Sequence, residues 1–466
     1  PVHATVSTFG FSIVPQVTIT GGKGYNIVPA FHDVLAILKS PLQNQGVDYR
    51  LLCEKQKNDL KFFDGTSGNA VFFDKKLDFF ENSFIIGGRK ETPMPRDLTH
   101  VVFADEIREK LSPAARKDTG ENPAAYHMGA IAHDAFLYGS QPKLATKIHG
   151  GLGDDTRAVI IEMMDDARAE KNPDRQAMKR AFVYGFLSHA AVDATFHPFV
   201  YSVSGSQVPE NNPDQKHVDL AKTRHRYIET WLDVHFLREK RLSLDTFKPF
   251  KQVANDRRTN AVVPSFFCKS YEKAYGVGQD LTPVFKNSMK MQLFVGRVTQ
   301  NQPLGRTLRA LDNALDGRLG LAVSGFYQND RAMPPILRDF ESYKHPVTGK
   351  TVAQTLKGLT ADAVALGTVY IAAAEKYIRD GVKKAFLKAV PNVNLDTGVE
   401  NTKLADIKQA TPADVEKLKG EKIKAFMRKG FKAFPSGARN AQNERRQTAN
   451  IAGAMAQTLK KQRESR

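Results

Sequence analysis

The sequence feature that most constrains the possible fold of this chain is a His-x-x-x-Asp-x-x-x-His pattern, formed by His189, Asp193 and His197. Residues four apart lie on the same face of an α-helix, so three potential metal ligands point to one side. In a chain of this composition, chance would produce the pattern only about 0.02 times. The pattern predicts a ligand-bearing helix over residues 176–197, which Pro198 is expected to end.

The histidines of the chain are concentrated around this pattern. Nine of the 12 lie between His100 and His235, a concentration that favours a shared role in metal binding. His225 and Glu229 repeat the four-residue spacing on a helix predicted over 219–238. A loop predicted over 202–214 joins the two helices.

Further ligand candidates lie upstream. Asp134 follows His133 within an apolar segment, where a buried carboxylate without a cation or donor would be costly. Asp134 is therefore the next predicted ligand. His100 and His149 are single residues whose interpretation as ligands depends on the others.

The fold class indicated is mainly α, in three parts. Residues 1–93 show strand-like alternation with a predicted hairpin over 62–73 and a helix near 30–39. Residues 94–390 have helical periodicity, with a first helix capped by Asp97 or Thr99, a turn at 344–349 and a long helix over 360–388. Residues 391–466 form a basic extension.

Charge and composition narrow the function classes. Residues 417–466 contain 14 Lys and Arg against three Glu. They contribute +11 to the chain's net charge of +18. Residues 411–434 could form a basic amphipathic helix for a membrane surface or nucleic acid, or a solvated segment. Two cysteines exclude a disulfide-stapled scaffold. The longest apolar run, residues 363–374, is shorter than a membrane span and is typical of a core helix.

These motifs resemble the bacterial zinc-dependent phospholipase C family, to which single-strand-specific zinc nucleases and the glycosylphosphatidylinositol phospholipase D catalytic domain are related. The segments that carry the resemblance are 97–104, 128–136, 184–198 and the turn at 345–349. The segment 184–198 is the most similar. The resemblance spans about 94–390.

The resemblance implies a multi-helix catalytic domain with two or three Zn²⁺ ions. One zinc would be held by Asp134, His149, His189 and Asp193. A second would be held by His197, His225 and Glu229, and Asp193 would bridge to a third shared with His100. The resemblance also implies that Asp134 is the general base.

Two positions differ from the family's pattern. The family's simplest members complete the third zinc with an N-terminal Trp, whereas here residues 1–93 precede the domain that contains His100, and the sole Trp is Trp231. His133 replaces the usual Pro before Asp134, and a role beside the ligands or in packing is expected for it.

The activity expected is hydrolysis of the glycerol-side phosphodiester of a glycerophospholipid, phosphatidylcholine foremost, by zinc-activated water. The products would be diacylglycerol and a phosphorylated head group. A zinc nuclease or other phosphodiesterase is the alternative. The order His100, His133-Asp134 and a later Asp also fits HD-type phosphohydrolases, and a non-enzymatic protein stapled by zinc is a third interpretation. A mixed His and carboxylate set favours catalysis.

The expected partner is therefore phospholipid at a membrane surface, bound peripherally. Nucleic acid is a partner only under the nuclease interpretation. The first residues lack the basic, apolar and small-residue order of a cleavable signal. We expect secretion or translocation by another route.

Overall fold

The computed structural model describes residues 97–212, 215–314, 325–327, 333 and 335–407, together with five short strands between residues 3 and 71. The helix expected near 30–39 and the basic amphipathic helix expected at 411–434 lie outside the described residues. The described residues divide into two compact units.

One unit contains the five N-terminal strands and a helix that follows much later in the chain. The strands are β1 His3–Ala4, β2 Val17–Thr18, β3 Glu54–Gln56, β4 Asp59–Phe63 and β5 Ala70–Val71, and the helix, α11, is Gln302–Ala314. Strand β4 pairs antiparallel with β5, Phe62 opposite Val71. The hairpin predicted for residues 62–73 is thus confirmed.

The other unit is built from helices. In chain order they are α1 Asp97–Arg108, α2 Pro113–Glu121, α3 Pro123–Ala132, α4 Lys143–Ile148, α5 Ala158–Ala169, α6 Pro173–Ser204, α7 Gln215–Glu239, α8 Pro249–Asn255, α9 Arg257–Tyr275, α10 Thr282–Thr299, α12 Pro335–Arg338, α13 Leu356–Asp380 and α14 Lys383–Ala389. The mainly α fold class is confirmed.

Helix α6 is the central element of this unit, packed mainly against α3 and α13. Its residues 181–193 are all buried. Helices α3 and α6 approach closely at two glycines: a Cβ on Gly185 would lie 2.0 Å from the Tyr126 carbonyl oxygen, and one on Gly129 would lie 2.2 Å from that of Phe182. This close crossing sets α3 directly beside His189.

Helix α6 begins and ends at residues typical of helix caps, but it contains a proline in its interior. The Asn172 side chain accepts a hydrogen bond from the Arg175 N–H at the start, and Gly205, with a φ of 90°, ends the helix. The predicted end at Pro198 is wrong, because the helix continues through Pro198 to Ser204. Burial of the turn after the proline, including Phe199, outweighs the loss of one backbone hydrogen bond.

The long helix predicted over 360–388 is two helices, α13 and α14. Gly381, with a φ of 74°, ends α13 and its N–H donates to the Tyr377 carbonyl. By length and composition alone, α13 is long and apolar enough to cross a membrane, the one such helix among the described residues. One face of α13 packs against α6, as expected of a core helix.

Two small hairpins complete this unit. Strands β6 Ser342–Lys344 and β7 Thr351–Ala353 pair antiparallel around the turn predicted at 344–349. Strands β8 Val393–Asn394 and β9 Val399–Glu400 also pair. We call residues 393–400 the C-terminal hairpin.

The start of α1 is tied to α7 through a buried carboxylate. Asp233 Oδ1 accepts hydrogen bonds from the Thr99 N–H at 2.6 Å and from the Thr99 hydroxyl at 2.5 Å. The Tyr327 hydroxyl donates to Asp233 Oδ2 at 2.7 Å. Thr99 precedes His100, so this network holds His100 close to the helix that carries His225.

Candidate metal centre

Eight side chains predicted as ligands lie in one region of the helical unit. They come from α1 (His100), the turn after α3 (Asp134), the end of α4 (His149), α6 (His189, Asp193 and His197) and α7 (His225 and Glu229). Three sets of these side chains have ligand atoms all within 4.8 Å of one another: His100, Asp134 and His189; His149, His189 and Asp193; and His197, His225 and Glu229. The first two sets share His189 and are described below, with His100 taken separately, as the first group, and the third set is the second group. Five separate chain segments therefore contribute to one site.

The first group surrounds the middle of α6. His189 Nε2 lies 2.8 Å from Asp193 Oδ2, and His149 Nε2 lies 3.4 Å from the same oxygen. Asp134 Oδ1 is 3.3 Å from His149 Nε2, and Asp134 Oδ2 is 3.9 Å from His189 Nε2. Two imidazoles and two carboxylates thus face a common point.

Asp193 connects this group to the rest of the site. Its second oxygen, Oδ1, lies 3.4 Å from His100 Nε2 and 3.5 Å from His197 Nε2. A carboxylate whose two oxygens face different histidines can bridge two cations. The side chain of Asp193 is 3% exposed, so its charge is held away from water.

The second group lies one turn further along α6, against α7. His225 Nε2 is 3.1 Å from Glu229 Oε1, and His197 Nε2 is 3.8 Å from the same oxygen. His225 and Glu229 are four residues apart on α7, the same spacing that separates Asp193 from His197 on α6. The two helices therefore present their ligand faces to each other.

Backbone carbonyls orient two of the histidines. His189 Nδ1 lies 2.8 Å from the Ala130 carbonyl oxygen, and His149 Nδ1 lies 2.8 Å from that of Ala145. A carbonyl only accepts, so each Nδ1 carries the proton and each Nε2 keeps its lone pair. Both lone pairs face the carboxylates of the first group.

This arrangement fits a metal cation. His189 Nε2 and Asp193 Oδ2 are buried and, within the described residues, have no hydrogen-bond partner, although they are 2.8 Å apart. Two buried acceptors at that distance repel each other unless a positive charge lies beside them. Mixed imidazole and carboxylate donors are ligands that zinc accepts.

The electrostatics of the site point the same way. Burial would lower the pKa of His197, but Asp193, Glu229 and Asp396 outweigh it and raise that pKa to about 10. Burial would raise the pKa of Glu229, but His225 and His197 lower it to about 2. The site favours positive charge strongly enough to offset desolvation.

The pKa shifts in the first group also favour a positive charge beside the carboxylates. Burial would lower the pKa of His149, but the carboxylates of Asp134 and Asp193 raise it well above its usual value. Burial would raise the pKa of Asp193, but His189, His197 and His100 hold it well below its usual value. His100 differs, because burial and His189 lower its pKa to about 4.

His133 lies beside the ligands and belongs to none of the three sets of side chains whose ligand atoms lie within 4.8 Å of one another. Its ring stacks on Phe186 at 3.5 Å and on His189 at 4.3 Å, and His189 stacks on His100 at 3.9 Å. The four rings form a column that fixes the plane of His189. The expected role of His133 beside the ligands stays a prediction that this geometry supports.

Two residues at the site were not predicted. Tyr201 continues the four-residue series of α6 beyond His197, so helical spacing could have identified it. Asp396 lies in the turn of the C-terminal hairpin, 3.6 Å from His197 Nδ1. An Asn-Leu-Asp-Thr-Gly turn, residues 394–398, indicates a loop and no particular partner.

A helical domain with clustered histidines and carboxylates defines a class of proteins, the multi-helix metal-binding proteins whose ligands come from several helices. Comparison with known families specifies the class: residues 99–274 match the model of the zinc-dependent phospholipase C family. Over this segment the chain is similar to that family, and the resemblance found in the sequence is confirmed. No curated protein and no solved structure matches the chain.

Proposed function

We propose that this protein is a zinc-dependent phospholipase C that hydrolyses the glycerol-side phosphodiester of glycerophospholipids, phosphatidylcholine foremost. The observation that carries the proposal is the position of Asp193, whose two oxygens face two different sets of histidines within the segment that matches the zinc-dependent phospholipase C family. A centre with adjacent cation sites suits a phosphodiester, whose attacked phosphorus lies between two oxygens that need charge stabilisation.

In this proposal the two groups of side chains hold separate ions. Asp134, His149, His189 and Asp193 would hold one zinc, and His197, His225 and Glu229 a second. His100, facing Asp193 Oδ1, would belong to a third. Bound zinc would supply Lewis-acid stabilisation of phosphate oxygens and a lowered pKa for water.

One of the chain's own residues, Asp134, would accept the proton from the attacking water. Asp134 is 4% exposed and lies at the edge of the first group, with one oxygen 3.3 Å from His149 Nε2. Its carboxylate would take a proton from the attacking water, and this gives it a role beyond that of a ligand. The water oxygen would bond to phosphorus as the bond from phosphorus to the glycerol oxygen breaks. The leaving oxygen would take up the proton removed from the water, which gives diacylglycerol and the phosphorylated head group.

The test combines zinc content with product analysis. Zinc is counted by mass spectrometry on the purified chain, its His189→Ala variant and its Glu229→Ala variant, and each is assayed with phosphatidylcholine. We expect zinc in the parent, less zinc in both variants, and kcat/KM at least a hundredfold lower in each. Glu239→Ala, an exposed glutamate on the same α7, is the matched control and should match the parent.

The products decide between related activities. Diacylglycerol with phosphocholine supports the proposal, whereas phosphatidic acid with choline would indicate cleavage on the other side of phosphorus. Cleavage of single-stranded DNA with phosphatidylcholine left intact would favour the nuclease alternative. A parent free of zinc with undiminished activity in both variants would refute the metal centre.

A further inference from the structure

The turn of the C-terminal hairpin places a carboxylate behind His197. Asp396 Oδ1 lies 3.6 Å from His197 Nδ1, and the buried Tyr201 hydroxyl donates to the same oxygen at 3.3 Å. Asp396 lies about 200 residues after His197 in the chain. It is outside both the segment 99–274 that matches the family and the catalytic domain predicted to end at 390.

The backbone of this turn is fixed to the segment that carries His149. The Leu395 N–H donates to the His149 carbonyl at 2.9 Å, and Asn394 Nδ2 donates to the Gly150 carbonyl at 3.0 Å. Asn394 Oδ1 in turn accepts the N–H of Asp396 at 2.8 Å. Since Asn394 is also buried, the turn has little freedom to move away from the site.

The other side of the turn rests on α6 itself. Gly398, with a φ of 65°, lies so close to α6 that a Cβ there would be 2.5 Å from the Ala194 carbonyl oxygen and 3.0 Å from Pro198 Cγ. Pro198 has no N–H to donate to the carbonyl of Ala194, four residues earlier. That carbonyl lacks its usual helical donor, so a neighbouring backbone can approach α6 there. The hairpin therefore docks on the turn that bears His197.

His197 consequently has different groups at its two nitrogens. Nε2 faces Asp193 and Glu229, while Nδ1 faces Asp396. The 3.6 Å separation is that of an ion pair and is longer than a hydrogen bond. A carboxylate at this distance favours the tautomer that carries its proton on Nδ1, which leaves the Nε2 lone pair for a metal. His189 and His149 have neutral carbonyls at the corresponding nitrogen.

We propose that Asp396 is a positioning residue of the second metal group, acting through His197 and held in place by Tyr201. The C-terminal hairpin is then a structural part of the metal centre, docked across both ligand groups. This inference rests on the proposed function, because it requires a metal ion at His197. The structure supports it by the placement of the hairpin against two ligand-bearing segments.

The experiment measures zinc affinity in the full chain by competition with a chromophoric chelator. For Asp396→Asn, which keeps the side-chain shape and removes the charge, we expect one site to bind zinc about 10- to 100-fold more weakly. Affinity at the other sites should not change. Glu400→Gln removes an exposed carboxylate from the same hairpin and serves as the matched control, with no change expected.

Two further variants distinguish positioning from a general effect on folding. Asp396→Glu retains a carboxylate and should recover most of the lost affinity, whereas a purely structural role would leave it as weak as Asp396→Asn. In a His197→Ala background, adding Asp396→Asn should cause no further loss of zinc. A loss of equal size in both backgrounds would overturn the proposal.

The outcomes also separate this inference from the proposed function. A parent that binds zinc, together with an Asp396→Asn variant of equal affinity, would overturn the role of Asp396 alone. A parent that binds no zinc would overturn the metal centre and with it this inference.

Discussion

Individual side chains at the centre are held by contacts on the side away from the ligand atoms. His189 illustrates this: its Nδ1 bonds to the Ala130 carbonyl while its ring lies between His133 and His100. The ring has neither rotational nor tautomeric freedom, so its Nε2 is presented in one direction. Such preorganisation is what a metal ligand requires, because an ordered site costs less to occupy.

The role of His133 follows from this stack. His133→Ala removes a ring that is 1% exposed and packs on His189, so we expect the free energy of unfolding to fall by about 2–4 kcal/mol. Zinc affinity should fall with it, since the plane of His189 is released. His133→Phe keeps a ring in the column and should cost less than about 1.5 kcal/mol. Urea unfolding and chelator competition measure both effects, and equal losses in Ala and Phe variants would contradict the stacking role.

At the scale of elements, the crossing of α3 and α6 determines where the ligands meet. Gly129 and Gly185 allow the two backbones to touch, and the Ala130 carbonyl that orients His189 lies next to that contact. Any side chain at the crossing would push the helices apart. The position of His189 relative to Asp134, which follows α3, would change with it.

Gly185→Ala tests this crossing. Its Cβ would lie 2.0 Å from the Tyr126 carbonyl oxygen, which is backbone and cannot rotate away. We expect the variant to lose about 1–3 kcal/mol of stability or more, and to bind zinc more weakly. Gly120→Ala on α2, where no atom lies within 4 Å, is the control and should be neutral or stabilising by up to about 1 kcal/mol. Thermal unfolding with and without zinc makes the comparison, and two variants of equal stability would contradict the close-contact argument.

At the scale of the whole molecule, charge is distributed unevenly along the chain. The metal centre gathers buried carboxylates, whereas residues 417–466 carry 14 basic residues against three acidic ones. Each basic residue near an anionic bilayer contributes about 1 kcal/mol of attraction. We propose that this segment recruits the protein to membranes, where the proposed phospholipid substrate lies.

Removal of residues 417–466 tests this proposal. Binding to vesicles that contain anionic lipid should fall at least tenfold, and the remaining binding should lose its dependence on salt. The proposed hydrolysis of a short-chain, monomeric phosphatidylcholine should not change, because the predicted metal ligands lie far upstream in sequence. Unchanged binding to anionic vesicles would refute the recruiting role.

Local pattern predicted those parts of the centre that depend on helical spacing alone. His189, Asp193 and His197 share a face because four residues are close to one turn of helix, and His225 and Glu229 follow the same rule. Periodicity and turn residues likewise predicted the fold class, the hairpin at 62–73 and the turn at 344–349. The prediction that α6 ends at Pro198 was wrong, because burial of the following turn outweighed the missing backbone hydrogen bond.

Spacing along the chain did not decide which of these patterns meet. The family resemblance grouped Asp134 and His149 with the ligands of α6, and only the tertiary structure shows the contacts that bring them together. No spacing in the sequence relates Asp134 or His149 to α6, and none relates Asp396 to His197, because each contact joins segments whose separation along the chain is unrelated to helical period. The close approach of α3 and α6 and the docking of the C-terminal hairpin bring them together. Sequence by itself determined the ligand faces, and packing determined the metal centre, since coordination requires groups that converge in space from several elements.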